Sequence, residues 1–157
     1  MTRGDCGIEE IMRKVSVKGV LIGGIVDVGA SVLLGLPFAL YTILKLDLSQ
    51  TPRDQVGATI TAAIHADVPL YAGQLLVGLA CSVLGGYVAA WLAKHDELLN
   101  GGLSSVLCVA GGIYVLATGK DSNPHWLQAL LLVASPLLAI LGGNLMRRLR
   151  QSRLQPA

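Results

Sequence analysis

The sequence predicts an all-α membrane protein: a four-transmembrane-helix bundle with both termini cytoplasmic and a short amphipathic helix in the first outer loop. Three observations point there. Of 157 residues, 53% are hydrophobic and only 14% charged, against about 25% charged in soluble domains, and mean hydropathy is +0.62. The apolar residues fall in four blocks, about 19–44, 70–93, 98–118 and 126–146, each near the roughly 20 residues that cross a bilayer. Nine of the twelve basic residues lie before the first block, between the second and third, or after the fourth. Under the positive-inside rule those segments are cytoplasmic. The chain therefore reads as one membrane domain, 1–157, with an outer connection at 45–69 and a basic cytoplasmic tail at 147–157.

The charged leader runs straight into an apolar stretch of spanning length. That exceeds the 7–15 residues of a signal-peptide core, so the first block is expected to stay as an anchor. It contains Pro37, and the fourth block contains Pro136. Neighbouring helices can satisfy the carbonyls that a proline frees, so neither excludes a span.

In the outer connection, Thr51, Pro52 and Asp54 read as an N-cap, a first-turn proline and an acid at the positive end of a helix. Val56, Ile60, Ala63 and Ile64 then form an apolar stripe. The short connection at 94–97 forces the second and third spans to be antiparallel neighbours. Trp91 and Trp126 stand near span ends, where interfacial aromatic anchors belong.

Within the first span Gly19, Gly23, Asp27, Ser31 and Gly35 are four residues apart and share one helix face. Similar ladders recur: Gln74, Gly78, Ser82, Gly86 and Ala90 in the second span, Asn100, Ser104, Cys108 and Gly112 in the third, Ser135, Ala139 and Gly143 in the fourth. Lipid provides little hydrophobic drive between helices, and small faces allow the close approach that replaces it. Gly19, Gly23, Gly35, Gly78, Gly86, Gly112 and Gly143 are accordingly the expected helix-packing residues. The Gly-Gly pairs at 23–24, 85–86, 101–102 and 142–143 all fall in the cytoplasmic half.

Asp27 is the conspicuous polar group. It lies about 12 Å into its span at 1.5 Å rise per residue, level with Ser82, Ser104, Ser105 and Ser135, and no Lys, Arg or His lies within any of the four spans. A charged aspartate at mid-span costs about 2.5–3.5 kcal/mol on insertion scales. Three arrangements resolve that cost: a protonated Asp27 hydrogen-bonded to a serine or carbonyl, a basic partner from another subunit, or a wet cavity where Asp27 exchanges protons or cations. The candidate intramembrane polar site is Asp27, Ser31, Ser82 and Ser104.

Other chemistry is sparse. No His-Glu-x-x-His, nucleophile elbow, phosphate-binding glycine loop or pair of membrane aspartates occurs, so no catalytic, cofactor-binding or metal-binding residue is assigned and the chain is read as a non-enzyme. His65, Asp67, Asp54, Asp121 and His125 are expected as solvated loop residues, although "HAD" could offer two metal ligands. Cys6, Cys81 and Cys108 form neither a disulfide framework nor a metal motif. The two inside spans are expected to pack as small apolar residues. Asn100 and Asn144 read as helix-end hydrogen bonders. The tail "MRRLRQSR" suits a topology signal that also touches anionic lipid headgroups, and with no aromatic residue near it, nucleic acid is not an expected partner.

Three segments, "KGVLIGGIV", "GGYVAAWLAKHDELLNGGLSSVL" and "LAILGGNL", resemble an uncharacterised family of small bacterial four-helix inner-membrane proteins. Gly85, Gly86, Ala89, Ala93, Lys94 and Gly102 carry the likeness, while Asp27 and the long outer connection depart from it. The resemblance implies a bacterial inner-membrane location and the same four-helix fold; it brings no activity with it.

The expected function is association without catalysis: an accessory, assembly or protective subunit of a membrane complex, or a self-associating bundle, with lipid and another membrane protein as partners. The competing expectation is a small homodimeric transporter or channel coupled to a proton or cation through Asp27. With Phe38 the sole phenylalanine and 4% aromatic residues, a bulky aromatic cation does not suit such a site. An intramembrane enzyme would need a second catalytic group near Asp27, and the sequence offers none.

Overall fold

The computed structural model describes residues 15–94, 96–118 and 124–154. Their regular elements are all helical: α1 (Val17–Lys45), α2 (Val56–Ala66), α3 (Val68–Ala93), α4 (Glu97–Ser104), α5 (Val106–Thr118) and α6 (His125–Leu154). Four stretches are long and apolar enough to cross a membrane: α1, α3, the α4–α5 pair, and His125–Arg153 of α6. Cys6 and the basic leader residues Arg3, Arg13 and Lys14, like Lys120 and Asp121, lie outside the described residues.

Local signals set the helix ends. Ser16 caps α1, its Oγ accepting the Gly19 amide at 3.2 Å. Asp67 caps α3, with Oδ1 accepting the Leu70 amide at 3.2 Å and Pro69 in the first turn. The expected cap at Thr51 does not form. Residues 52–55 instead close a turn through a 2.9 Å bond from the Gln55 amide to the Pro52 carbonyl, and α2 begins at Val56 after Gln55. A proline at position 52 restricts the residue before it to extended backbone, and the chain needs a further turn before the helix starts. The apolar stripe is nevertheless the inward side of α2, with Ile64 buried.

Two further boundaries depart from the expected spans. The third is not one helix but two, broken at Ser105, whose amide bonds the Gly102 carbonyl three residues back. The Ser104 and Ser105 hydroxyls donate to the Gly101 and Gly102 carbonyls at 2.6 and 2.8 Å. Serine back-bonding of this kind bends helices. At the other boundary, α6 does not stop with its apolar run but carries Arg147, Arg148, Arg150 and Arg153 on continuing helix to Leu154.

The helices pack around α3. It lies against α1, α4 and α6, whereas no Cα of α5 comes within 8 Å of a Cα of α3, nor does any of α1 approach α6 that closely. Tight packing is concentrated at the end that holds the start of α1, the end of α3 and the whole of α4. There the glycine pairs meet as the ladders predict. A Cβ on Gly23 would sit 2.6 Å from the Ala89 Cβ, one on Gly19 2.9 Å from the Ala89 carbonyl oxygen, and one on Gly143 2.6 Å from the Glu97 carbonyl oxygen. On Gly86 it would collide with the Ala139 carbonyl, and on Gly142 with the Val83 carbonyl.

Asn100, fully buried, clamps this closed end: its Oδ1 accepts the Ser16 amide at 2.7 Å and its Nδ2 donates to the Asp96 carbonyl at 3.1 Å. Large apolar side chains such as Leu33, Leu44 and Leu76 point outward while Ala89, Ala90, Ala93 and Ala139 fill the interior. Small residues inside and large ones outside is the arrangement for helices held by close approach rather than by burying bulky side chains.

The other end is looser, and two of the expected packing glycines have no neighbour there among the described residues. A Cβ on Gly35 or Gly78 would meet nothing within 4 Å. Gly112 meets only the movable tip of Leu132, at 2.6 Å. Beyond Ser105 the third span has left α3, and no residue of α5 is buried.

This division is testable residue by residue. Gly86→Ala and Gly142→Ala force a methyl against backbone and should each destabilise the bundle by about 1–3 kcal/mol, the usual cost of overpacking. Gly35→Ala meets open space and should be neutral or gain up to about 1 kcal/mol of helix propensity. Thermal unfolding of the three variants in the same detergent checks the ranking.

Candidate functional site

The parting of α5 from α3 leaves a cleft of about 340 Å³ with Asp27 at its closed end. Each polar group arrives from a different helix. Asp27 lies on the inward face of α1, one turn beyond Gly23, and is 1% exposed. Gly85 of α3 makes room for it, since a Cβ there would lie 2.6 Å from the Asp27 Cβ. Ser82 is one turn back from Gly86 on α3, so the contacts that fix α3 also fix its hydroxyl. Cys108 opens the first turn of α5, immediately past the serine break.

Both carboxyl oxygens of Asp27 receive a donor. The Ser82 hydroxyl donates to Oδ1 at 3.4 Å and the Cys108 thiol to Oδ2 at 3.0 Å. Ser135 of α6 stands 3.4 Å from Ser82. With the Ser82 proton directed at Asp27, Ser135 is the donor in that pair. The result is a short relay from α6 through α3 to α1.

These donors are neutral, and a thiol is a weak one. A carboxylate held only by neutral groups in an apolar interior keeps an uncompensated charge, which is costly. Among the described residues no Lys, Arg or His lines the cleft. A proton, or a cation entering from outside, would complete the arrangement.

Of the expected polar residues, Asp27 and Ser82 come together and Ser31 lines the cleft one turn further along α1. Ser104 does not join them. Its hydroxyl is turned onto the Gly101 carbonyl, and its own carbonyl abuts Gly24, where a Cβ would sit 3.0 Å away. The expectation that Cys108 only packs is corrected by its hydrogen bond to Asp27. The signal for it was available: Cys108 stands on the same ladder as Ser104, one turn on, and only the unforeseen bend hands the role from serine to cysteine.

Gln128 of α6, mostly buried, and Gln74 of α3 also line the cleft. Gln128 lies outside every four-residue ladder, so the small-residue pattern did not reveal it. Leu75, Leu79, Val109, Leu131 and Leu132 form apolar walls, and among the described residues no aromatic ring lines the cleft. The His65 ring packs edge-on against Tyr71, 4.6 Å between centroids. Among the described residues no three His, Cys, Asp or Glu side chains are grouped to hold a metal.

The two cysteines of the long apolar helices should separate chemically. Cys108 is partly exposed and lines the cleft, whereas Cys81 is 1% exposed. In a Cys6→Ser background, a small polar methanethiosulfonate should modify Cys108 at least about tenfold faster than Cys81, because access governs thiol reaction. Peptide mass mapping of the labelled protein reads the ratio. Equal rates would mean either that the cleft excludes water-borne reagents or that the hydrogen bond to Asp27 holds the Cys108 thiol protonated and unreactive.

No protein-family model, curated protein or solved structure matches the chain.

Proposed function

We propose that the protein is a non-enzymatic, multi-pass protein of the bacterial inner membrane that takes a proton or a small non-aromatic cation onto Asp27, as the working site of a small homodimeric transporter or channel. The observation that carries this reading is the cleft that ends on a buried carboxyl supplied with neutral donors alone. Hydroxyl and carboxamide oxygens of Ser31, Ser82, Ser135, Gln74 and Gln128 can replace part of a cation's hydration, and the absence of aromatic rings disfavours large delocalised cations. A volume near 340 Å³ is at the lower end for small-molecule sites.

The charge distribution supports cytoplasmic termini. With that orientation the glycine-packed end faces the cytoplasm and the cleft faces the outside. The inner-turn sequence "GGYVAAWLAKHDELLNGG" supports the bacterial location. Transport then requires a second arrangement in which the closed end loosens, as alternating access demands.

A second reading keeps the chain as an accessory or assembly subunit. It is favoured by Gly29 and Gly35 on α1, where nothing within 4 Å of an added Cβ occupies the space. An external helix could approach that face closely.

Reconstitution distinguishes the two. In vesicles carrying an internal pH dye, with sodium or potassium gradients applied in turn, the wild-type protein should give proton or cation flux. Asp27→Asn should reduce it by at least about tenfold, as expected for loss of an ionisable group on an ion path, with its thermal stability retained. Absence of flux in the wild type, together with a stoichiometric second protein after gentle extraction and native mass spectrometry, would instead establish the accessory role.

A further inference from the structure

At the closed end, on the opposite side of α3 from Asp27, a groove of about 470 Å³ runs between the last turns of α3 and the last turns of α6. Two helix faces build it. Tyr87 and Trp91 follow one another at helical spacing on α3, with Lys94 as its left-handed C-cap, and Met146, Leu149, Arg150 and Arg153 share a face of α6. Each face changes character in the same direction, from aromatic or apolar to cationic. The groove is thus apolar where the helices leave the apolar span and positive where they end.

Its charge is only partly compensated. Arg150 pairs with Glu97 of α4, and among the described residues no acidic side chain lines the groove itself. Among the described residues, Lys94 and Arg153 have no acidic partner within salt-bridge distance. Arg147, by contrast, lies on another face of α6, beside Asp96 and Glu97. Trp91 is 56% exposed at the point where apolar gives way to charge, the position in which an amphipathic ring borders a membrane surface.

We infer that this groove is a binding site for an anionic phospholipid, its phosphate held by Lys94, Arg150 and Arg153 and its acyl chain laid along Trp91, Met146 and Leu149. Charge complementarity and the adjoining apolar wall together select the ligand. A free phosphate would use the cations and leave the wall bare; a zwitterionic lipid would use the wall and bring no net charge to the cations. A basic pocket between spanning helices on the cytoplasmic side suits such headgroups. The inference is independent of what occupies the Asp27 cleft.

The test uses the full chain in nanodiscs, with Trp126→Phe so that Trp91 is the sole indole. Phosphatidylglycerol or phosphatidylcholine with brominated acyl chains is added at low, equal mole fraction, and quenching of Trp91 emission is measured. The brominated anionic lipid should quench Trp91 several-fold more effectively than the zwitterionic one. Arg153→Gln, and the double variant Lys94→Gln/Arg153→Gln, should reduce that preference by about fivefold for each cation removed. Arg153→Gln lies on an exposed helical turn and keeps the test open if the Lys94 variant misfolds.

Equal quenching by the two lipids, or a preference that survives the double variant, would overturn the proposal. Inorganic phosphate that abolishes the preference at constant ionic strength would overturn it too, reassigning the groove to a free anion.

Discussion

At Gly86 and Gly142 the backbones of α3 and α6 pass so closely that a single added carbon on either would strike the other helix. That approach, repeated between Gly23 and Ala89 and between Gly101 and Gly143, is the constraint on which the rest of the structure depends. Where large side chains cannot gain by leaving lipid, dispersion between close backbones is the attraction that remains. It acts only over short distances, so it holds the helices together where the glycines lie and nowhere else. Asp27 and Ser82 each lie within a turn of that contact, which is why two side chains distant in sequence meet reproducibly.

The same economy explains the open half. At Ser105 the third span makes a three-residue backbone bond to the Gly102 carbonyl, beside serine back-bonds to the Gly101 and Gly102 carbonyls, and the bend carries α5 away from α3. The ladders of α1 and α3 continue through Gly35 and Gly78, but there is no opposing helix at the required distance. A small-residue face is permission for contact, not the contact itself. The cleft is therefore a consequence of where the third span bends, and its closed end is set by the last glycine pairs that still meet.

Much of this was legible in the residues. Block length and composition disclosed the four apolar helices, and the four-residue spacing disclosed which face of α1 turns inward. The Gly-Gly pairs cluster at the end that proves tight, although Gly35, Gly78 and Gly112 were expected to pack as well. What escaped was conformational: the bend at Ser104–Ser105 needs two hydroxyls to choose intrahelical carbonyls over other partners, and no periodicity records that choice. Consequently Ser104 was expected beside Asp27 and Cys108 was not. The N-cap at Thr51 failed for a similar reason, since cap residues also suit turns and the following geometry decides between them. Gln128 was missed because a glutamine near a helix start has no distinguishing local pattern.

One asymmetry of the bundle bears on how it could respond to an occupant. Four of the six helices have their buried residues concentrated at the closed end, while α5 contributes none. Displacing α5 therefore disrupts little that holds the fold together, and local openings are drawn from such weakly packed elements. Yet α5 carries Cys108, which hydrogen-bonds Asp27. The wall that bonds the carboxyl is also the least buried wall of the cleft, so a change of partner at Asp27 would bear on α5 while the glycine-locked half stays assembled.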